Sequence, residues 1–183
     1  MELLEMKGIV KAFPGVIANN HVNLSVKAGE IHALLGENGA GKTTLMNILY
    51  GLYQADSGSV YWKGEKVHFH SPLDAIAAGI GMVHQHFTLI PTMTVLQNII
   101  LGLKEKGYPF IKITEITESI QALAKRYGLA VDVKKRVSEL SVGEQQRVEI
   151  LKALYRGAEL LVLDEPTAVL TPRETGEFFE VLR

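Results

Sequence analysis

Apolar and polar positions fall into segments of two kinds along the chain. Residues 1–35 read as β structure, with short apolar runs at Ile17–Val26 and Ile31–Leu35 separated by a turn at Lys27-Ala28-Gly29-Glu30. Leu45 to Tyr50 contains no Pro or Gly and reads as a helix that ends at Gly51. Val60-Tyr61-Trp62 and Val67-His68-Phe69 flank Lys63-Gly64-Glu65-Lys66 and predict a hairpin. Ser71-Pro72 then opens a short helix through Ala78, with serine as cap and proline at the first helical position. Ile80–Val83 reads as a buried strand, and so does the run from Glu159 to Asp164. Between them the pattern turns helical, at about 94–102, 114–127 and 143–155. A last helix is expected over Glu174–Leu182. Strands and helices alternate, give way to a helical block and resume, so the expected fold is an α/β core with a helical insertion.

Composition narrows the classes of function. With 183 residues, 47% of them hydrophobic, the chain can bury one ordinary core but not two large ones. A net charge of −1 excludes a strongly basic nucleic-acid binder as the default, and nucleic acid is not expected among the partners. The one basic triplet, Lys134-Lys135-Arg136, reads as solvated surface. The absence of cysteine removes disulfides, thiolate zinc sites and cysteine nucleophiles. No apolar run is long enough to span a bilayer, and Met1–Glu5 carries acids rather than a basic leader. The expectation is a soluble protein of a reducing compartment.

Two segments carry chemistry. Gly36, Gly41, Lys42 and Thr43 fit the spacing G-x-x-x-x-G-K-[ST], between a predicted strand and a predicted helix. Glycines let the backbone curl so that successive N–H groups point at phosphate oxygens, and the helix adds its free amides and positive dipole end. Nucleotide-binding candidates are therefore Gly36, Asn38, Gly39, Ala40, Gly41, Lys42, Thr43 and Thr44. Lys42 reaches the β/γ phosphates, and the Thr43 hydroxyl is a ligand for Mg²⁺. The second segment, Leu160-Leu161-Val162-Leu163-Asp164-Glu165, is an apolar strand ending in two acids, where ligands of open α/β sheets bind. Asp164 is placed to hold Mg²⁺, directly or through water. Glu165 is placed to orient or deprotonate an attacking water.

A third segment, Leu140-Ser141-Val142-Gly143-Glu144-Gln145-Gln146-Arg147, resembles the signature motif of ATP-binding cassette (ABC) proteins. Ser141 and Gly143 offer a hydroxyl and a backbone N–H at a predicted helix start, a second anion site, and Ser141 and Glu144 also have the spacing of a capping box. The loop at 36–44 then resembles Walker A, the strand ending in Asp164-Glu165 resembles Walker B, and Gln85 stands in the Q-loop position, so the resemblance covers the whole chain. It implies a P-loop NTPase core with a mostly parallel sheet, an N-terminal antiparallel β part and an inserted helical subdomain. The expected division is 1–91 for the nucleotide-binding core, 92–155 for the helical subdomain, and 156–183 for the Walker B strand and the start of the next helix. It implies ATP and Mg²⁺ as cofactors, Gln85 as a metal ligand, and Gln85, Lys42 and Glu165 as the catalytic set. Ser141, Val142, Gly143 and Glu144 would act in trans, on nucleotide held by a second cassette. Phe13 matches the aromatic that stacks on adenine; as an isolated Phe it is as well explained by core packing.

Met82-Val83-His84-Gln85-His86-Phe87 and the stretch from Glu165 to Glu174 resemble the ATPases of bacterial simple-sugar and nucleoside uptake systems. The implied role is a peripheral ATPase on the cytoplasmic face of the membrane. Its partners would be permease subunits, a second cassette in tandem or as a homodimer, and indirectly an extracytoplasmic binding protein. His84 and His86 do not make a metal site, because alternate strand residues face opposite sides and no third ligand is evident. Thr171 stands where the family's D-loop usually has an Asp. The switch histidine of the family, and the strand leading to it, would lie beyond Arg183. The 183 residues therefore read as a C-terminally truncated fragment, the first of two cassettes and a poor ATPase alone. Competing readings are a soluble ABC ATPase of DNA repair or translation type, and a nucleotide-binding module without turnover. The span from Gln85 to Leu140 lacks the sustained heptads of the repair type.

Overall fold

The computed structural model describes residues 2–85, 87–103, 112–167, 175–176 and 178–179. The chain divides between Ile80 and Gly81 into two compact units.

The first unit is built on an antiparallel sheet ordered β2-β1-β3-β4, formed by β1 (Glu2–Phe13), β2 (Val16–Lys27), β3 (Ser57–Trp62) and β4 (Glu65–Val67). In β1 the buried side chains are Leu4, Met6 and Ile9, a switch from even to odd positions. The cause is a register shift between Met6 and Ile9, centred on Gly8 in the left-handed region (φ +61°), which returns Ile9 to the inner face. The predicted hairpin is present. Lys63 (φ +52°) and Gly64 (φ +85°) form its two-residue loop, and two left-handed residues give the turn whose twist matches the strands.

Helix α1 (Lys42–Leu49) buries Leu45, Ile48 and Leu49. It closes on Gly51 (φ +78°): the Gly51 and Leu52 amides donate back to the Ile48 and Asn47 carbonyls at 3.2 and 2.9 Å. Helix α2 (Pro72–Ala77) starts as predicted, with a reciprocal cap between Ser71 and Asp74 and proline in its first turn.

One expected strand is not formed. Ile31–Leu35 has no regular structure, and Ile31 and Leu35 are 62% and 89% exposed. An apolar run becomes a buried strand only where neighbours complete its ladder. None of the described strands pairs with these residues, so their backbone groups and side chains stay in contact with solvent.

β5 (Ile80–Val83), which starts at the division and lies in the second unit from Gly81 on, pairs side by side with β6 (Leu160–Leu163). The Asp164 amide donates to the Val83 carbonyl at 3.0 Å, so the two strands end together and run parallel. Gly81 admits this packing: a Cβ there would lie 3.0 Å from the Cβ atoms of Ala153 and Ala158. The helical block consists of α3 (Val95–Ile100), α4 (Ile113–Arg126), a 3₁₀ turn at Val137–Glu139, and α5 (Val142–Tyr155), close to the predicted spans. Ile116, Ile120 and Ala124 recur at helical spacing on α4 and enter a core with Val95, Ile99, Leu129, Val148 and Leu151. Most of the helix expected over Glu174–Leu182, and also His86 and Thr171, lie outside the described residues.

Candidate nucleotide site

The phosphate loop belongs to the first unit. Gly39 and Gly41 both lie in the left-handed region (φ +85° and +87°), and the Ala40 amide closes a turn onto the Glu37 carbonyl at 3.1 Å. The Lys42 Nζ donates to the Gly36 and Glu37 carbonyls at 2.6 and 2.9 Å, so its ammonium lies against the loop. Helix α1 begins directly at Lys42, with no capping side chain and no acid in its first turn. The amides of Lys42, Thr43 and Thr44 thus reach the helix start without an intrahelical acceptor, beside the positive dipole end. These amides and the Lys42 ammonium are donors gathered at one helix start, with the Thr43 hydroxyl next to them, and that set suits a phosphate chain and its metal.

Gly41 is held from below. The Asn19 side chain, 3% exposed, donates to the Gly41 carbonyl at 3.2 Å, and a Cβ on Gly41 would stand 2.0 Å from the Ala18 carbonyl oxygen. Gly41→Ala therefore combines a strained φ, worth about 1–3 kcal/mol, with a backbone clash. Gly29→Ala is the control, since Gly29 has φ +74° but open space around it. Thermal melting should show a clearly larger loss for Gly41→Ala; equal losses would mean that the Ala18 contact carries no weight.

Phe13 ends β1 and is half-buried, away from the fully buried core. Its ring meets Tyr53 edge to face, with centroids 5.5 Å apart, and the Lys11 ammonium lies 5.6 Å from its centre. Sequence reasoning did not single out Tyr53.

The acidic strand end belongs to the second unit. Glu165 follows β6 in a left-handed conformation (φ +48°), uncommon for a residue other than glycine. The Gln85 amide Nε2 donates to the Glu165 carboxylate at 2.9 Å, joining two candidates 80 positions apart in the chain. Asp164, next to Glu165 in sequence, is half-buried. No group of three or more His, Cys, Asp or Glu side chains that could hold a metal ion occurs among the described residues.

The signature segment starts α5. The Ser141 Oγ accepts from the Glu144 amide at 3.3 Å, and the Glu144 carboxylate accepts from the Ser141 amide at 2.8 Å, completing the capping box. The Ser141 backbone N–H holds the Glu144 carboxyl below its usual range. Gly143 is buried and Val142 is 40% exposed. Two further residues of α5, Gln146 and Glu149, are buried although polar. Sequence reasoning passed over Glu149; the available signal was two polar residues at i, i+3 spacing on the helix face that also carries Ile150 and Ala153.

An amide-lined loop opening a helix, an acid pair after a parallel strand and a capped signature helix together define an ATP-binding cassette of P-loop NTPase type. The ABC transporter family profile fits residues 19–168, and the chain belongs to that family. It is 54% identical to the guanosine import ATP-binding protein NupO of Bacillus subtilis (strain 168), over 99% of this chain and 36% of that protein. It is 52% identical to the glucose import ATP-binding protein TsgD13 of Haloferax volcanii, over 98% of this chain and 38% of that one. The chain therefore spans about a third of the length of the curated relatives it matches. Among solved structures, it is similar to the dimeric post-hydrolysis state of the ATP-binding cassette MJ0796 bound to ADP and Pi. There the TM-score is 0.80 and the identity 28%, over 98% of this chain and 81% of that one.

Proposed function

We propose that this chain is the ATP-binding and ATP-hydrolysing cassette of an importer, coupling ATP turnover to uptake of a nucleoside or simple sugar through a membrane permease. The observation that carries the reading is the glycine loop of residues 36–44, with the Lys42 ammonium lying against it, at the uncapped start of α1. The relatives named for guanosine and glucose import support the finer assignment of cargo class. Backbone amides from Gly36 to Thr44 and the Lys42 ammonium bind the phosphates, and Phe13 faces the adenine. Thr43, Gln85 and Asp164 supply the oxygens that hold Mg²⁺. When bound, the metal neutralises phosphate charge. Glu165, oriented by Gln85, accepts a proton from the attacking water or aligns it. Ser141, Val142, Gly143 and Glu144 address the nucleotide of a second cassette, in tandem or in a homodimer. An extracytoplasmic binding protein delivers the cargo, and nucleic acid has no part.

No helix among the described residues is long and apolar enough to cross a membrane, so the attachment proposed is peripheral, on the cytoplasmic face through the permease. Coupling follows from tighter ATP binding by the closed pair of cassettes than by the open pair. The test uses the full-length protein expressed with and without its permease. It should sediment with membranes only when the permease is present, and vesicles should take up labelled nucleoside or monosaccharide only with ATP. A distribution indifferent to the permease would favour a soluble ATPase instead.

A further inference from the structure

Glu149 is 6% exposed near the middle of α5, and the mechanism above gives it no task. One carboxylate oxygen accepts both the Thr88 backbone amide at 2.6 Å and the Thr88 hydroxyl at 2.9 Å. The other oxygen accepts from the Lys152 ammonium at 3.2 Å. Lys152 also donates to the Thr88 hydroxyl at 3.1 Å, so the three side chains close on one another. One turn earlier on α5, the buried Gln146 donates to the Pro166 carbonyl at 2.7 Å.

These contacts form a ring. Gln85 bonds Glu165; the next residue, Pro166, is held by Gln146; one helical turn leads to Glu149; Glu149 holds Thr88, three residues beyond Gln85. Balancing the charge of a buried carboxylate would require only Lys152. Glu149 instead commits one whole oxygen to the Thr88 backbone and hydroxyl, and charge-assisted bonds of this kind fix geometry as well as adding strength.

We propose that Glu149 is a positioning residue that fastens the stretch after Gln85 to the signature helix, so that the Gln85–Glu165 pair and Ser141–Glu144 move as one body. The inference rests on the roles proposed above for those residues. It gives α5 two tasks: its N-terminus addresses the nucleotide of the second cassette, and its middle sets the group that acts on its own.

The test uses the full-length protein and two independent readouts. In Glu149→Ala, amide exchange over 87–90 should accelerate by about tenfold or more, as expected for loss of a hydrogen bond to a charged group. Exchange within α5 should change little, ATP affinity should hold, and kcat should fall by a similar factor. Glu149→Gln keeps an acceptor for Thr88 but loses the charge pair, and should restore part of both. Thr88→Val, at an exposed position, removes only the hydroxyl and serves if Glu149→Ala does not fold; it should show the same effects, smaller. Unchanged exchange at 87–90 with unchanged kcat in folded variants overturns the proposal. So does a purely structural outcome, in which melting falls but exchange at 87–90 and kcat per folded molecule do not change. Glu165→Gln run in parallel separates the two readings. If it retains turnover, the hydrolytic assignment fails, while amide exchange still decides whether Glu149 holds Thr88.

Discussion

Lys42→Ala is expected to weaken ATP binding by about 10- to 100-fold. Hydrogen bonds to a charged partner contribute roughly 1.5–3 kcal/mol, and each 1.4 kcal/mol is a factor of about ten. The structure adds a second reason. The Lys42 ammonium also ties the Gly36 and Glu37 carbonyls together, at 2.6 and 2.9 Å, so the substitution removes two bonds that shape the loop as well as the cation that meets phosphate. Lys42→Arg keeps the charge but not the compact geometry, and should recover only part of the affinity. Nucleotide titration at fixed Mg²⁺ measures both variants. Unchanged affinity together with unchanged hydrolysis would remove the phosphate loop from the site.

Glu165→Gln should separate binding from chemistry. Glutamine keeps the size of the side chain and still offers an oxygen to the Gln85 amide, now 2.9 Å away, so the local geometry survives. It lacks the negative charge that polarises water. ATP binding should persist, the closed pair of cassettes should accumulate, and turnover should fall by at least ~10²-fold, the lower range for a positioned acid–base group. A single-turnover assay in the full-length protein with near-normal hydrolysis would place the catalytic group elsewhere.

What was legible in the sequence was local. Ser71-Pro72 announced α2, Ser141 and Glu144 announced the start of α5, and Gly64 announced the hairpin, because caps and tight turns are settled by residues a few positions apart. The phosphate loop was legible for the same reason. The run Ile31–Leu35 misled, since an apolar pattern reports a wish for burial and strand formation also needs partners from distant segments. The shift at Gly8 could not be foreseen either, as its cause lies in pairing with β2 and β3. The Gln85–Glu165 bond spans 80 positions; motif order suggested both residues, but only the fold brings them together. Glu149 looks on paper like any charge on an amphipathic helix, and its burial against Thr88 is a tertiary fact.

The close meeting of Gly81, Ala153 and Ala158 limits which sequences can carry this fold. In most cores a methyl gained at one position can be traded for one lost at another. Here that exchange has no room, because two partners are already alanine and the third is glycine. Relieving an enlarged Gly81 would take glycine at both 153 and 158, at about 1 kcal/mol in helix propensity for the one in α5, and the new Cβ would still face Leu161 at 3.2 Å. The three positions thus act as one constraint: a larger side chain at any of them is felt by the other two, and β5 stays against α5 while all three remain small.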